Sequence, residues 1–236
     1  MKSGALPTPN DDAGQSAARE AVVAACRDLC RRDLTYGTSG NVSVRCNATH
    51  FAMSPSGIVY ERLQAEDVAL MDLEGHWRGT SRPSSEWRFH RDIYRNRETI
   101  GAVVHTHSPR ATALACTGRG IPAFHYMVAV AGGPDIRCAP YHTFGTEELS
   151  GAVLEALDGR MACLLSNHGV IACGNKVESA LALAGEVENL ARQYCTALQL
   201  GQVRVLDDAE MQRVLEKFRT YGRSDAVDLD LMYCGA

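Results

Sequence analysis

Short strand-like segments alternate with alanine-rich helical segments along most of the 236 residues, and this alternation constrains the fold more than any other feature. Residues 15–33 are rich in alanine and carry apolar side chains at helical spacing, which predicts a helix. Residues 41–45 alternate in polarity and contain β-branched side chains, which predicts a strand. Because both patterns recur, the sequence predicts one α/β domain with a central sheet.

The other elements follow from the same two patterns, with proline and glycine marking their ends. Residues 1–14 are expected to form a flexible N-terminal tail, the domain is assigned to residues 15–222, and residues 223–236 are assigned to a C-terminal tail. Further strands are expected at 50–54, 68–73, 100–106, 162–165 and 170–172, and further helices at 83–97, from 109 onward, and at 146–156, 177–200 and 207–221.

Composition and charge narrow the class of partner. The formal net charge is −4 and the sequence pI is about 6.1, which argues against nucleic acid as the main partner. No apolar run approaches the length of a membrane span, and the first residues lack the apolar core of a signal peptide. The nine cysteines are odd in number and irregularly spaced, so we expect reduced thiols in a cytoplasmic protein.

A His-x-His motif closes one of the predicted strands. Residues two apart in a strand face the same side, so His105 and His107 project together while Thr106 points away. Two neighbouring imidazoles are well placed to bind one divalent metal ion. The alternative is a pair of histidines that form local hydrogen bonds at the end of a strand.

A third histidine and one carboxylate would complete a metal site. His168 lies in a tight turn between two apolar segments, where Gly169 is expected to let the backbone turn sharply. Glu86 lies at the start of the predicted helix 83–97. Three histidines and a carboxylate match the ligands that zinc takes in proteins. Taken singly, each residue is better explained without a metal: His168 as a solvent-exposed turn residue, Glu86 as a first-turn acid that complements the helix dipole, and His90 as a residue of the helix surface or core.

Small turns rich in serine and glycine offer groups that bind anions. Residues 37–41 and 54–57 form such turns beside predicted strands, where backbone N–H groups and hydroxyls suit a phosphate. Ser84 and Ser85 add hydroxyls at a predicted helix N-terminus. Most turns of this composition serve only as turns, so the pattern alone leaves both interpretations open.

Eight segments together resemble the class II aldolase family. They occur in the order of that family and span most of the chain. The main departures are Ser166 and Asn167, where near relatives carry Gln-His, and the tail after Gly222. The segments are GTSGNVSVR (37–45), SPSGIVYE (54–61), PSSEWRFH (83–90), AVVHTHS (102–108), IPAFHYMVAVAGG (121–133), CAPYHTFGTEELS (138–150), LLSNHGVIAC (164–173) and LEKFRTYG (215–222).

The resemblance implies a fold, an assembly and a cofactor. The fold would be a central, mostly antiparallel sheet flanked by helices, assembled as a fourfold-symmetric homotetramer with active sites at the subunit interfaces. One Zn²⁺ ion per subunit would be bound by His105, His107, His168 and Glu86. Glu86 would be a ligand of the resting site and also the group that transfers a proton in catalysis.

The resemblance also implies substrate-binding and catalytic residues. Tyr126 matches the tyrosine that protonates the aldehyde oxygen, and Tyr221 matches a C-terminal tyrosine that reaches the site of the adjacent subunit. The positions that match phosphate-binding residues are Asn41, Ser56, Gly57, Ser84 and Ser85.

The implied reaction is the reversible cleavage of a ketose 1-phosphate, such as L-fuculose 1-phosphate, to dihydroxyacetone phosphate and a small aldehyde. Alternative substrates are 5-deoxyribulose 1-phosphate and methylthioribulose 1-phosphate. A phosphopentose epimerase or a dehydratase of the same superfamily is a further alternative, against which Glu86 in its Ser-Ser-Glu-Trp-Arg context argues. A non-catalytic, adducin-like binding module would have no use for the metal ligands, and a purely structural metal site would leave Tyr126 unexplained.

Overall fold

One eight-stranded sheet runs through residues 9–220, the part of the chain that the computed structural model describes. Its strand order is β4-β3-β2-β1-β5-β8-β7-β6, and every neighbouring pair is antiparallel except β6 and β7. This confirms the mostly antiparallel sheet. The strands are β1 (Asn41–Arg45), β2 (His50–Met53), β3 (Ala69–Asp72), β4 (Trp77–Arg78), β5 (Ala102–Thr106), β6 (Cys138–Ala139), β7 (Ala162–Leu165) and β8 (Gly169–Gly174).

Helices cover both faces of the sheet. Short 3-10 helices at Tyr60–Arg62, Ala65–Asp67 and Tyr126–Ala131 lie in the connections. Among the helices of residues 9–220, none has both the length and the apolar character that crossing a membrane requires. The α-helices are α1 (Pro9–Arg31), α2 (Trp87–Asn96), α3 (Pro109–Ala115), α4 (Glu147–Ala156), α5 (Val177–Leu200) and α6 (Asp208–Thr220).

Alternation along β5 divides the apolar core into two layers. Val104 faces the layer formed with α1, α3 and α5, whereas Val103 faces the layer formed with α2 and α4. Both valines are completely buried, because successive side chains of a strand between two helical layers point to opposite covered faces. His105 has the same parity as Val103 and therefore lies on the α2 side of the sheet.

Two predicted helix starts are wrong. Residues 9–14 are already helical where the described part of the chain starts, although composition alone places them in a flexible tail. Helix α2 begins at Trp87 and leaves Glu86 at the N-cap position; within residues 9–220 the Glu86 side chain makes no capping hydrogen bond. The predicted tail 223–236 lies outside the described residues.

Candidate metal centre

Four elements place side chains at one end of the central strand β5. Asn41, the first residue of β1, lies directly opposite His105 of β5 in the antiparallel ladder. His107 follows the end of β5, and His168 lies in the turn that joins β7 to β8. Glu86 approaches from the helical layer, at the N-terminus of α2. The sheet register and the position of one helix therefore bring together residues that are far apart in the sequence.

The three histidines and Glu86 converge on a common centre. One ligand atom from each of the four residues lies within 4.8 Å of all the others. The Nε2 atom of His105 is 3.1 Å from Nε2 of His107 and 3.2 Å from Oε2 of Glu86. The Oε1 atom of Glu86 is 3.1 Å from Nε2 of His168. Ligands of one tetrahedral zinc ion lie about 3.3 Å apart, so these spacings fit a single metal ion.

The position of the proton on His105 indicates that a cation between the four side chains would explain the short distances better than hydrogen bonds among those side chains. Its Nδ1 atom lies 2.9 Å from the carbonyl oxygen of Val170, and because a carbonyl only accepts, Nδ1 carries the proton. In the neutral ring, Nε2 then presents a lone pair to His107 and Glu86. The buried Oε1 atom of Glu86 lies close to Nε2 of His168, but among the described residues it has no partner with the geometry of a hydrogen bond. Three imidazole nitrogens and one carboxylate suit a divalent ion such as Zn²⁺.

The electrostatics of the site favour the protonation states that bind metal. Burial raises the pKa of the Glu86 carboxyl, but positive charge on the imidazoles of His105 and His168 outweighs this effect and holds the pKa well below the usual range; a cation bound between the neutral rings would supply the same charge. Burial, together with the neighbouring His105 and His168, lowers the pKa of His107 to about 4. The carboxylate is therefore ionised and His107 is neutral near pH 7, as metal binding requires.

The turn that carries His168 lies very close to the backbone of Thr106 and the ring of His107. Asn167 adopts a left-handed backbone with φ of 53°, which asparagine tolerates better than most residues. Gly169 does not need a positive φ, so the reason given from the sequence for this glycine is wrong. A Cβ atom at Gly169 would lie 2.3 Å from the carbonyl oxygen of Thr106 and 2.9 Å from Cδ2 of His107. The glycine therefore lets β8 pass close to the metal ligands.

The two serine-containing turns at 54–57 and 83–85 lie side by side. Pro55 and Pro83 form an isolated bridge, and the Ser56 hydroxyl donates to the carbonyl oxygen of Pro83 at 3.1 Å. The backbone N–H of Ser84 donates to the carbonyl oxygen of Ser54 at 2.9 Å. Ser84 is buried, whereas three of the predicted phosphate-binding residues are exposed: Ser56, Gly57 and Ser85. The fifth, Asn41, is buried and directs its amide at Glu86.

A buried chain of hydrogen bonds, absent from the expectations above, leads away from Glu86. Asn41 donates from Nδ2 to Oε2 of Glu86 at 3.0 Å, and its Oδ1 lies 2.6 Å from Nε2 of His90. The Nδ1 atom of His90 lies 2.7 Å from the Ser43 hydroxyl, which lies 2.8 Å from the Tyr94 hydroxyl. The sequence does carry a signal for it: Asn41 and Ser43 are two apart on a strand, and Glu86, His90 and Tyr94 follow one another at intervals of four.

Tyr126, one of the two predicted catalytic tyrosines, is not part of the cluster formed by Glu86 and the three histidines. Tyr126 begins the 3-10 helix Tyr126–Ala131, and its side chain is about half exposed. It lines a cavity of about 660 Å³ between that helix and α6, together with His125, Arg213 and Phe218. Tyr221 lies outside the described residues.

Comparison with known proteins decides the family. Residues 20–195 match the family described as "Class II Aldolase and Adducin N-terminal domain". The chain belongs to the class II aldolase family. This confirms the resemblance seen in the eight segments, and it makes the protein a lyase of a metal-dependent family, with four convergent side chains that could hold a metal ion.

Two relatives and one solved structure show how close the similarity is. The 5-methylthioribulose-1-phosphate/5-deoxyribulose-1-phosphate aldolase of Rhodospirillum rubrum is 52% identical over 206 residues, which are 87% of this chain and 93% of the relative. The L-fuculose phosphate aldolase of Escherichia coli is 48% identical over 85% of this chain and 94% of its own. A solved L-fuculose 1-phosphate aldolase has a TM-score of 0.83 at 40% identity, covering 86% of this aldolase and 97% of that structure.

Proposed function

We infer that this aldolase uses Zn²⁺ to cleave a ketose 1-phosphate reversibly into dihydroxyacetone phosphate and a small aldehyde. The observation that carries this inference is the convergence of Glu86 and three imidazoles on one centre, within 4.8 Å of one another. The relatives support the substrate class, because their names specify L-fuculose phosphate and the 1-phosphates of 5-methylthioribulose and 5-deoxyribulose.

At the ketone end of the substrate, the metal centre would stabilise negative charge and Glu86 would transfer a proton. Glu86 and the three histidines would hold a divalent ion, which would supply a Lewis acid for the negative charge that develops on the ketone oxygen as the C3–C4 bond breaks. Glu86 is ionised and held by Asn41, so it is placed to exchange a proton at C3. Over the whole reaction the C4 hydroxyl loses one proton and C3 gains one.

Other residues act on the two ends of the substrate. The adjacent turns 54–57 and 83–85 supply hydroxyl and N–H groups for the phosphate, whose binding would hold the sugar in place, whereas the amide of Asn41 is directed at Glu86. Tyr126 exchanges the proton at the aldehyde oxygen. Because Tyr126 is half exposed, it is available to a neighbouring subunit in a cytoplasmic homotetramer, as is expected for Tyr221.

Two substrate groups have support from the comparisons. L-Fuculose phosphate is the substrate named for the relative at 48% identity, and the 1-phosphates of 5-deoxyribulose and methylthioribulose are named for the relative at 52% identity. These sugars share the phosphorylated ketone end and differ at the aldehyde end. The metal and phosphate sites therefore serve either group, and the aldehyde end decides between them.

The proposed function is tested by measuring release of dihydroxyacetone phosphate from each of these ketose 1-phosphates. We expect turnover of at least one, loss of turnover when a chelator removes the metal, and recovery when Zn²⁺ is added. The matching sugars without phosphate are the control for the phosphate site and should react poorly. If the sugar phosphate is consumed without dihydroxyacetone phosphate appearing, the reaction is an epimerisation or a dehydration. If nothing is consumed and no metal is bound, the protein is a binding module.

The role of Glu86 is tested by Glu86→Gln, which removes the proton-transferring carboxylate and keeps the side-chain shape. We expect most turnover to be lost while the three histidines retain the metal, because general acid–base catalysis contributes about a hundredfold or more. Glu74→Gln is the matched control, since the exposed Glu74 side chain pairs with Arg95 and lies outside the cluster of Glu86 and the three histidines. Full turnover by Glu86→Gln would remove Glu86 from the mechanism.

A further inference from the structure

His90 is a buried histidine that the proposed reaction leaves without a task. It lies one helical turn after Glu86 on α2, and its side chain is completely buried. Burial lowers the pKa of its imidazole to about 3, so the ring is neutral at physiological pH. A neutral imidazole has one nitrogen that donates and one that accepts, and each nitrogen of His90 has a partner of its own.

The direction of each hydrogen bond in the buried chain follows from the carboxylate at its end. An ionised carboxylate only accepts, so Asn41 turns Nδ2 toward Glu86 and Oδ1 toward His90. Because Oδ1 also only accepts, the proton of His90 is on Nε2. The Nδ1 atom of His90 then accepts from the Ser43 hydroxyl, whose oxygen accepts in turn from Tyr94. One consistent arrangement of protons therefore runs from Tyr94 to the metal centre.

We propose that His90 is a positioning residue for the metal centre: its Nε2–H fixes the Asn41 amide in the orientation that donates to Glu86, and so holds the carboxylate among the three imidazoles. Without this donor, the amide is free to rotate by half a turn. Its Oδ1 would then face the carboxylate, and two acceptors at the present 3.0 Å separation repel each other. The carboxylate would move away from its place beside His105 and His168.

The packing around the chain supports a fixed orientation. Asn41 is almost completely buried and is held by the ladder opposite His105. The His90 ring stacks on Phe89 with ring centroids 4.7 Å apart, and Phe89 in turn contacts the edge of His105 at 5.6 Å. With His90 and Asn41 this closely enclosed, water cannot readily take over the donor role of His90. The orientation of the Asn41 amide therefore depends on the protein itself.

Two substitutions at His90 distinguish its hydrogen bond to Asn41 from the contribution of its ring to core packing. The amide of glutamine reaches about as far as Nε2 of histidine, whereas that of asparagine reaches about as far as Nδ1. His90→Gln can therefore still donate to Asn41, and His90→Asn can bond Ser43 but not Asn41. Both variants lose the aromatic ring, so both should lose some thermal stability. A purely structural role would thus affect them in the same direction, with no rescue of the metal centre by glutamine.

The readouts are metal binding, the spectrum of the bound metal and the kinetic constants. For His90→Asn we expect the metal dissociation constant to rise and kcat to fall by about tenfold or more, as when other residues that orient metal ligands are changed. The visible absorption of the Co²⁺-loaded protein should change, because it reports the ligand geometry. His90→Gln should restore all three toward wild type. Equal behaviour of the two variants, or an effect on KM alone, would overturn the proposal.

Ser43 provides a second test if the His90 variants fold poorly. Ser43→Ala removes the hydroxyl that keeps the proton of His90 on Nε2, so a smaller loss of metal affinity and kcat, about twofold to tenfold, is expected. Ser150→Ala is the matched control, because Ser150 is also a buried serine that bonds a residue of α2, Asp92, outside the chain to Glu86. Equal effects of the two substitutions would contradict the role of the chain.

The expected change in kcat rests on the proposed aldolase function, but the metal measurements do not. If wild type binds the metal and cleaves none of the ketose phosphates, the proposed function fails while the dissociation constants and Co²⁺ spectra still decide the role of His90. If wild type is active and both His90 variants retain wild-type metal affinity, spectrum and kcat, the proposed function stands and the role of His90 fails.

Discussion

The metal half of the proposed active site is closed, whereas the tyrosine half is open. In the metal half, Glu86 and His105 are buried, and the sheet register places His105 beside β1 and β8. In the tyrosine half, Tyr126 is about half exposed and lines a cavity against α6. One folded chain therefore brings the four candidate metal ligands together, and we expect the aldehyde side to depend on the assembly of subunits. Metal binding and turnover should respond to different substitutions.

The largest effect that separates the halves is expected for Tyr126→Phe. Removing the hydroxyl should lower kcat by about a hundredfold, because proton transfer by a positioned side chain contributes that much. Metal content and thermal stability should stay at wild-type values, since the side chain is exposed. Tyr141→Phe, at another exposed tyrosine, is the matched control. Unchanged turnover by Tyr126→Phe would remove this tyrosine from the reaction.

Gly169→Ala should damage the metal half without touching Tyr126. The new Cβ would collide with the Thr106 backbone and the His107 ring, so we expect weaker metal binding and a loss of about 1–3 kcal/mol in the free energy of unfolding. Gly185→Ala on α5 is the control, because among the described residues no atom lies within 4 Å of its added Cβ. That control should be neutral or stabilising by up to about 1 kcal/mol. Equal metal affinity in both variants would contradict the close approach.

The buried histidine of the metal half should make the metal-free protein sensitive to acid. The pKa of His90 is about 3 in the folded protein and 6.5 without burial, so between these values the unfolded chain binds more protons. The free energy of unfolding should therefore be largest above pH 6.5 and fall by up to about 1.4 kcal/mol per pH unit as the pH drops. Urea unfolding at a series of pH values measures this slope. His90→Gln should show a shallower slope, and an equal slope would exclude His90 as its source.

Asn167 should give the smallest effect. Its left-handed backbone predicts that Asn167→Ala loses about 1 kcal/mol in the free energy of unfolding, whereas Asn167→Gly stays near wild type. Chemical denaturation of the two variants measures the difference. If alanine and glycine are equally tolerated, the turn that presents His168 does not depend on this conformation.

The sequence also predicts the metal half of the proposed site more fully than the tyrosine half. His105 and His107 stand on one strand with a spacing of two, so their common side was readable, and most elements were placed within a few residues. Strands β4 and β6 have two residues each, too few to show a periodicity. The start of α2 was misplaced because Ser84 and Ser85 resemble N-cap residues, while tertiary contacts decide that Glu86 faces the histidines.

Residues that act through others were harder to find from the sequence. Asn41 was predicted from family resemblance to bind phosphate, and its bond to Glu86 depends on a sheet register that no local pattern reveals. Ser43, His90 and Tyr94 lie on a face of the sheet that is otherwise lined by apolar residues. Their spacing shows that they share a face, but which of them form hydrogen bonds depends on how strand β1 packs against helix α2. Tyr221, at the other half of the site, stays a prediction.

The metal content of the purified protein tests the central claim most directly. Elemental analysis of wild type and of the double variant His105→Ala/His107→Ala should show about one zinc ion per chain in wild type and close to none in the variant, because two of the four ligands are lost. Activity should follow the metal. A wild-type protein that cleaves its substrate with no bound metal, or a double variant that keeps its zinc, would contradict the account.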